Sequence, residues 1–300
     1  MSLTNAPSVS NINENWLFQF TADNNNAMEF KNGDNNYLDF GDILATYTSF
    51  TIELWIFLDS TGTFPILSLG FRDDPNEALA TNTVFNLSIP SGDDLKVSYE
   101  YGDGDSVSEQ DTNFGMGTST WTHICATRND ADNKIRMYKN GTLVHTSGTT
   151  NDPAGGTSSS LALLIGRNQN YASPSFFDGK MAHVRIWEVA RSDDEIAFSY
   201  NRYVDNTATG LVAYWKLDEG FGDTVFDSST NSNNGAVKNN NKVAGPGNAT
   251  VWANGSFTPF IHAFGLSFRD TEVDSNFYHG SVVNRSISIR DSIDITKGTA

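Results

Sequence analysis

Cysteine is all but absent: Cys125 is the single one in 300 residues, and it lies in the apolar run from Trp121 to Ala126. A disulfide framework is therefore excluded, and a buried, inert thiol is expected. No stretch approaches the about 20 consecutive apolar residues of a membrane-spanning helix, so no membrane insertion is expected. Cationic side chains are scarce too, with 19 Lys and Arg against 36 Asp and Glu, a net charge of −17. Nucleic acid and anionic membrane surfaces would be repelled by such a chain and are not expected as partners. The opening residues, Met1 to Ser10, show neither a basic region nor an apolar core, so no export leader is expected. Also missing are a G-x-S-x-G nucleophile elbow, an H-E-x-x-H helix and a phosphate-binding loop.

What is present is turn chemistry and aromatic rings. Asn clusters at Asn24, Asn25 and Asn26 and again at Asn239, Asn240 and Asn241, amid frequent Ser, Thr and Gly. The 20 Phe and 6 Trp suffice for a substantial core and exclude a wholly disordered chain. From about residue 20 to 190, short apolar runs alternate with turn clusters, the pattern of a β-sandwich or barrel. The run Phe50-Thr-Ile52-Glu-Leu54-Trp-Ile56 puts Phe50, Ile52, Leu54 and Ile56 on one face, with Glu53 and Trp55 on the other. That second face is not simply solvent. Asn140-Gly141 predicts a tight hairpin between Lys134–Lys139 and Thr142–His145. Ser192 with Glu195 three residues on forms a capping box opening a helix over 193–200.

The order of motifs resembles a laminin-G-like, concanavalin A-like domain. The residues that carry the resemblance are Ala27-Met-Glu-Phe30, Tyr37-Leu-Asp-Phe40-Gly41-Asp42 and Phe50-Thr-Ile-Glu-Leu-Trp55, then Trp121-Thr-His-Ile-Cys-Ala-Thr-Arg128. Tyr138-Lys-Asn-Gly141, Leu164-Ile-Gly166, Phe177-Asp-Gly179, Val184-Arg-Ile-Trp187 and Asp193-Asp-Glu-Ile196 complete it. The resemblance implies an all-β fold, a two-sheet antiparallel jelly-roll sandwich with a smaller β-rich C-terminal appendage. The expected organisation is an anchoring segment at 1–20, the jelly roll at 21–205, additional strands at 206–254 and an attachment segment at 255–300. Asn11-Ile-Asn-Glu-Asn-Trp-Leu-Phe18 and the stretch from Gly280 to Asp294 resemble the ends of virion structural proteins of tailed phages. That resemblance implies a virion location, assembly into an oligomer, and other virion structural proteins as partners. Trp16, Leu17, Phe18 and Phe20 are the candidate apolar anchors.

Candidate sites follow from the same resemblance. Retaining jelly-roll glycosidases resemble one another in a Glu-x-Asp-x-(x)-Glu strand, with two carboxylates about 5 Å apart. Glu109-Gln-Asp111 and Glu272-Val-Asp274 match in part, but Asn113, Phe114, Asn276 and Phe277 stand where the second acid belongs. No enzyme is expected. In pentraxins, which share this fold, acidic and amide side chains from two loops hold calcium; the corresponding residues here are Asp73 and Asp74 in one loop and Asn168 and Asn170 in the other. Amides where carboxylates belong, and the adjacent Arg167, count against that site; a solvated acidic loop is the alternative. Sugar sites set an aromatic platform beside groups that hydrogen-bond hydroxyls, a mixture found at Asn168, Asn170, Tyr171 and Phe176 and again at Tyr99 and Tyr101. The expected function is a non-catalytic virion adhesion protein, a tail fibre or surface appendage that recognises host glycans or proteins. The alternatives are a free carbohydrate-binding module of a bacterial surface or secreted protein, and a polysaccharide-degrading enzyme.

Overall fold

A computed structural model describes residues 26–41, 48–71, 83–100, 106–152, 161–169, 174–239, 242–243, 252–253, 257 and 259. All of them belong to one compact unit, Asn24–Phe260; the second unit, Met1–Asp23 with Ile261–Ala300, lies outside the described residues. The first strands are β1 (Ala27–Phe30), β2 (Asn36–Asp39), β3 (Phe50–Leu58), β4 (Phe64–Phe71), β5 (Thr83–Ile89) and β6 (Leu95–Glu100). They are followed by β7 (Ser106–Asp111), β8 (Trp121–Asn129), β9 (Lys134–Lys139), β10 (Thr142–Thr146), β11 (Leu161–Ile165) and β12 (Gly179–Trp187). Helix α1 (Asp193–Ser199) precedes β13 (Leu211–Trp215), β14 (Thr224–Val225), β15 (Gly235–Asn239), β16 (Lys242–Val243) and β17 (Trp252–Ala253).

Two antiparallel sheets result. The first runs β10-β9-β8-β3-β12-β1-β17, with β13 also paired to β12. The second runs β14-β15-β2-β11-β4-β5-β6-β7, with β16 beside β15. Strands between 211 and 253 are thus hydrogen-bonded into both sheets and extend the sandwich.

The alternation in β3 decides the packing. Phe50, Ile52, Leu54 and Ile56 enter the core between the sheets, where Phe50 meets Phe85 of the opposite sheet edge to face at 5.2 Å between ring centroids. The intervening residues, Thr51, Glu53 and Trp55, are also buried, because α1 and the chain leading out of it cover the outer face of the first sheet. The expected helix is present with its capping box: Ser192 Oγ accepts from the Glu195 N–H, and Glu195 accepts from the Ser192 N–H. The hairpin at Asn140-Gly141 is also present, with φ of 49° and 78°, the left-handed pair that a two-residue turn of this kind requires.

Candidate functional site

The outer face of the first sheet carries the residues of β3, β8 and β12 that point away from the core. The register pairs Phe57 with Trp121 and Trp55 with His123 across β3 and β8, and Ala182 with Trp55 and Arg185 with Glu53 across β12. Between Ala182 and Arg185 the strand bulges, with His183 at φ 52°. Polar and aromatic side chains are thereby sorted along the same face.

At one end sits a closed ionic cluster. Glu53 is 0% exposed and accepts from Trp187 Nε1 at 3.0 Å and Arg191 Nη1 at 3.1 Å. Arg185 Nη1 lies 3.5 Å away and His123 Nε2 3.2 Å. Burial alone would raise the Glu53 carboxyl, but Arg185, His123 and Arg191 outweigh it and hold the group well below the usual carboxylate range. Burial pushes His123 down, only partly opposed by Glu53. The arginines also bond the covering chain: Arg191 reaches Ser199 Oγ at 2.8 Å, and Arg185 reaches the carbonyls of Ser199 and Arg202. This cluster therefore pins α1 and the turn after it onto the sheet.

At the other end the same face opens into a cleft of about 660 Å³. Trp55, Phe57, Trp121 and Tyr200 supply its aromatic surface, and Ser119, Thr120, Asn140 and Asn201 its polar rim, with Pro259 closing one side. Trp55 is the floor, 5% exposed, and its indole N–H donates to the Tyr200 carbonyl at 2.9 Å while the two rings stack 6.1 Å apart. Phe257 wedges against Trp55 and Trp121 at 5.8 and 5.1 Å. Asn140 Oδ1 accepts from the His123 N–H at 2.9 Å, which fixes the amide at the rim. Gly141 must be glycine on a second ground: a Cβ there would lie 2.6 Å from Cδ1 of Tyr200. The hairpin turn is thus pressed against the ring that walls the cleft.

Among the residues expected from sequence to form sites, three are described, and two of them require correction. Tyr99 is no ligand platform: it is 2% exposed, its ring meets Phe50 edge to face, and its hydroxyl lies 3.1 Å from Arg128 Nε, 3.0 Å from Thr150 Oγ1 and 2.9 Å from the Asn151 carbonyl. Phe176 is 6% exposed, packed against Tyr37 with the Arg167 guanidinium over both rings, so it too offers no open face. Asn168 closes its own loop, its N–H donating to the Ser175 carbonyl and its Oδ1 accepting from the Ser175 N–H. Asp73, Asp74, Tyr101, Asn170, Tyr171, Trp16, Leu17, Phe18 and Phe20 lie outside the described residues. Among the described residues no three His, Cys, Asp or Glu side chains gather as a metal site would need. In the partial glycosidase match, Glu109 faces His145 at 3.5 Å and Asp111 accepts from the Asn113 N–H as a turn cap. Cys125 is buried, and burial raises its thiol well above the ordinary range.

Two packed antiparallel sheets with one capped helix across an outer face define a jelly-roll β-sandwich of the lectin-like kind. The family description for the concanavalin A-like lectin/glucanases superfamily, in its laminin-G form, matches residues 32–197, more than half of the chain. The chain belongs to that superfamily. A search of curated proteins finds no match. Among solved structures, the chain is similar to a Bacteroides ovatus protein provisionally assigned to carbohydrate binding, at 23% identity and a TM-score of 0.53, over 75% of this chain and 62% of that one. The chain thus spans less than two thirds of that protein's length. It is also similar to a full-length tailspike protein of an Escherichia coli O157:H7 bacteriophage, at 16% identity and a TM-score of 0.47, over 64% and 26% of the two chains. The heptameric pentraxin of Limulus polyphemus is similar at 15% identity and a TM-score of 0.45, over 59% and 82%.

Proposed function

We propose that the chain is a non-catalytic glycan-recognising module. The observation that carries this reading is the outer-face cleft, whose aromatic surface can stack on the C–H face of a sugar ring while amides and hydroxyls at its rim bond the ring's hydroxyls. Its volume falls within the range of about 300–1,000 Å³ typical of small-molecule sites. Asn201 lies at the rim, where its amide can both donate to and accept from a sugar's hydroxyls. The carbohydrate-binding role provisionally assigned to the Bacteroides ovatus protein is of the kind that such a cleft would serve. No catalytic role is proposed, since Glu109 and Asp111, the described carboxylates of the glycosidase-like pattern, serve a contact with His145 and a turn.

The finer setting in this proposal is a tailed-phage virion, with the module facing outward and Trp16, Leu17, Phe18 and Phe20 attaching it to other virion proteins. It rests on the resemblance of residues 11–18 and 280–294 to virion structural proteins. The test of the module is a glycan array probed with the full chain, with Trp121→Ala, and with Asn201→Ala, which leaves the aromatic packing intact. Binding to a defined set of glycans that both substitutions weaken is expected; binding that neither alters would overturn the assignment to this cleft. Antibody to the chain should label intact particles of its source phage, and labelling confined to bacterial surfaces would favour a free carbohydrate-binding module.

A further inference from the structure

We infer that the outer-face cleft selects neutral sugars and rejects their acidic counterparts, an inference that rests on the glycan reading of that cleft. None of the described residues lining it is charged. The charged side chains placed near it are turned to other partners, and Arg202, which follows Asn201, lays its guanidinium over the exposed Phe198 ring at 4.3 Å. Lys180 Nζ sits 4.3 Å from the centre of the Phe57 ring but is held by Asp59 at 3.3 Å. Lys139 Nζ donates to the carbonyls of Phe114 and Gly115. Arg185 and Arg191 are closed around Glu53 and the carbonyls of the covering chain, and His123 is buried with its proton affinity depressed.

A sialic or uronic acid carboxylate entering the cleft would lose water without meeting a cation among the described lining residues. It would instead face aromatic π surfaces, whose quadrupole is negative at the ring face, on a protein of net charge −17. Neutral hydroxyls meet no such penalty. The amides of Asn140 and Asn201 and the hydroxyls of Ser119 and Thr120 can each serve them as donor or acceptor. The selection therefore lies in what the cleft withholds, a cation, as much as in what it offers.

The experiment is isothermal titration of the full chain with matched pairs: lactose against 3′-sialyllactose, and galactotriose against trigalacturonic acid. The neutral member of at least one pair is expected to bind at least about tenfold more tightly than its acidic partner. Thr120→Lys, at an exposed rim position, should shift that ratio toward the acidic member. An acidic member that binds as tightly as its neutral partner overturns the selectivity and leaves the glycan reading standing. If neither member of either pair binds, the glycan reading of the cleft falls, and the selectivity with it.

Discussion

Replacing Gly141 with alanine tests whether the β9–β10 turn shapes the cleft. At φ +78° a non-glycine residue is strained by roughly 1–2 kcal/mol. The added Cβ would also sit 2.6 Å from Tyr200 Cδ1, where ordinary contact begins at 3.4 Å, so the ring must retreat by about 0.8 Å. Tyr200 cannot retreat freely, because its carbonyl accepts the Trp55 indole N–H and its ring stacks on Trp55. Overpacking of this kind adds roughly 1–3 kcal/mol. Gly222 supplies the control: its φ is +83° and nothing lies within 4 Å of its added Cβ, so Gly222→Ala carries strain alone. Urea denaturation should find Gly141→Ala less stable than Gly222→Ala by about 1–3 kcal/mol. Titration with whichever glycan the wild type binds should show affinity lost in Gly141→Ala and kept in Gly222→Ala. Equal stability and equal affinity in the two variants would refute the coupling between turn and cleft.

Glu53→Gln leaves Arg185 and Arg191 facing a neutral amide inside the sheet and should cost about 3–5 kcal/mol, read by thermal or urea unfolding. Because the folded Glu53 carboxyl lies below its unfolded value, its contribution is present above about pH 4.5 and lost as pH falls; wild-type stability should drop steeply in acid and that of Glu53→Gln less so. Glu219 behaves in the opposite sense: burial raises it to about 7, against the pull of the Phe226 N–H that it accepts at 2.8 Å. Its contribution is fully present below about pH 4.5 and lost as pH rises through 7, a change of about 3 kcal/mol. Glu219→Gln keeps the acceptor and should be more stable relative to wild type at pH 8.5 than at pH 4, by about that amount; a difference that does not change with pH would refute it.

Local signals in the sequence reach a long way into this fold. Phe50, Ile52, Leu54 and Ile56 declare their shared face by period two; Asn140-Gly141 and Ser192 with Glu195 declare a turn and a helix start because each acts within four residues. Tyr99 was legible by the same rule: Leu95, Val97 and Tyr99 alternate on β6 and all three point inward, so the ring belongs with the core. The aromatic and polar mixture that Tyr99 shares with Tyr101 is the weaker signal. The cleft was not legible, because positions 55, 57, 119–121, 140, 200–201 and 259 meet only through strand pairing and the return of the helix. The one clue was that β3 carries Glu53 and Trp55 on a face that water does not reach.

That clue has a physical consequence for how the site is held. An antiparallel strand with one wet face alternates apolar and polar residues, whereas β3 reads Phe-Thr-Ile-Glu-Leu-Trp-Ile-Phe-Leu, close to a strand buried on both sides. The second burial is achieved by a short helix of seven residues, which has little stability of its own. Its place on the sheet must therefore come from tertiary contacts, and the strongest of these converge on Glu53. The carboxylate fixes Arg185 and Arg191, these arginines bond Ser199 and the Arg202 carbonyl, and Tyr200 between them walls the cleft. A buried charge is thus tied to the geometry of a cleft whose described lining residues carry none. Loss of Glu53 should then lower global stability and also weaken ligand binding under conditions where the sandwich is still folded, since the side chains filling the core between the sheets do not include that carboxylate.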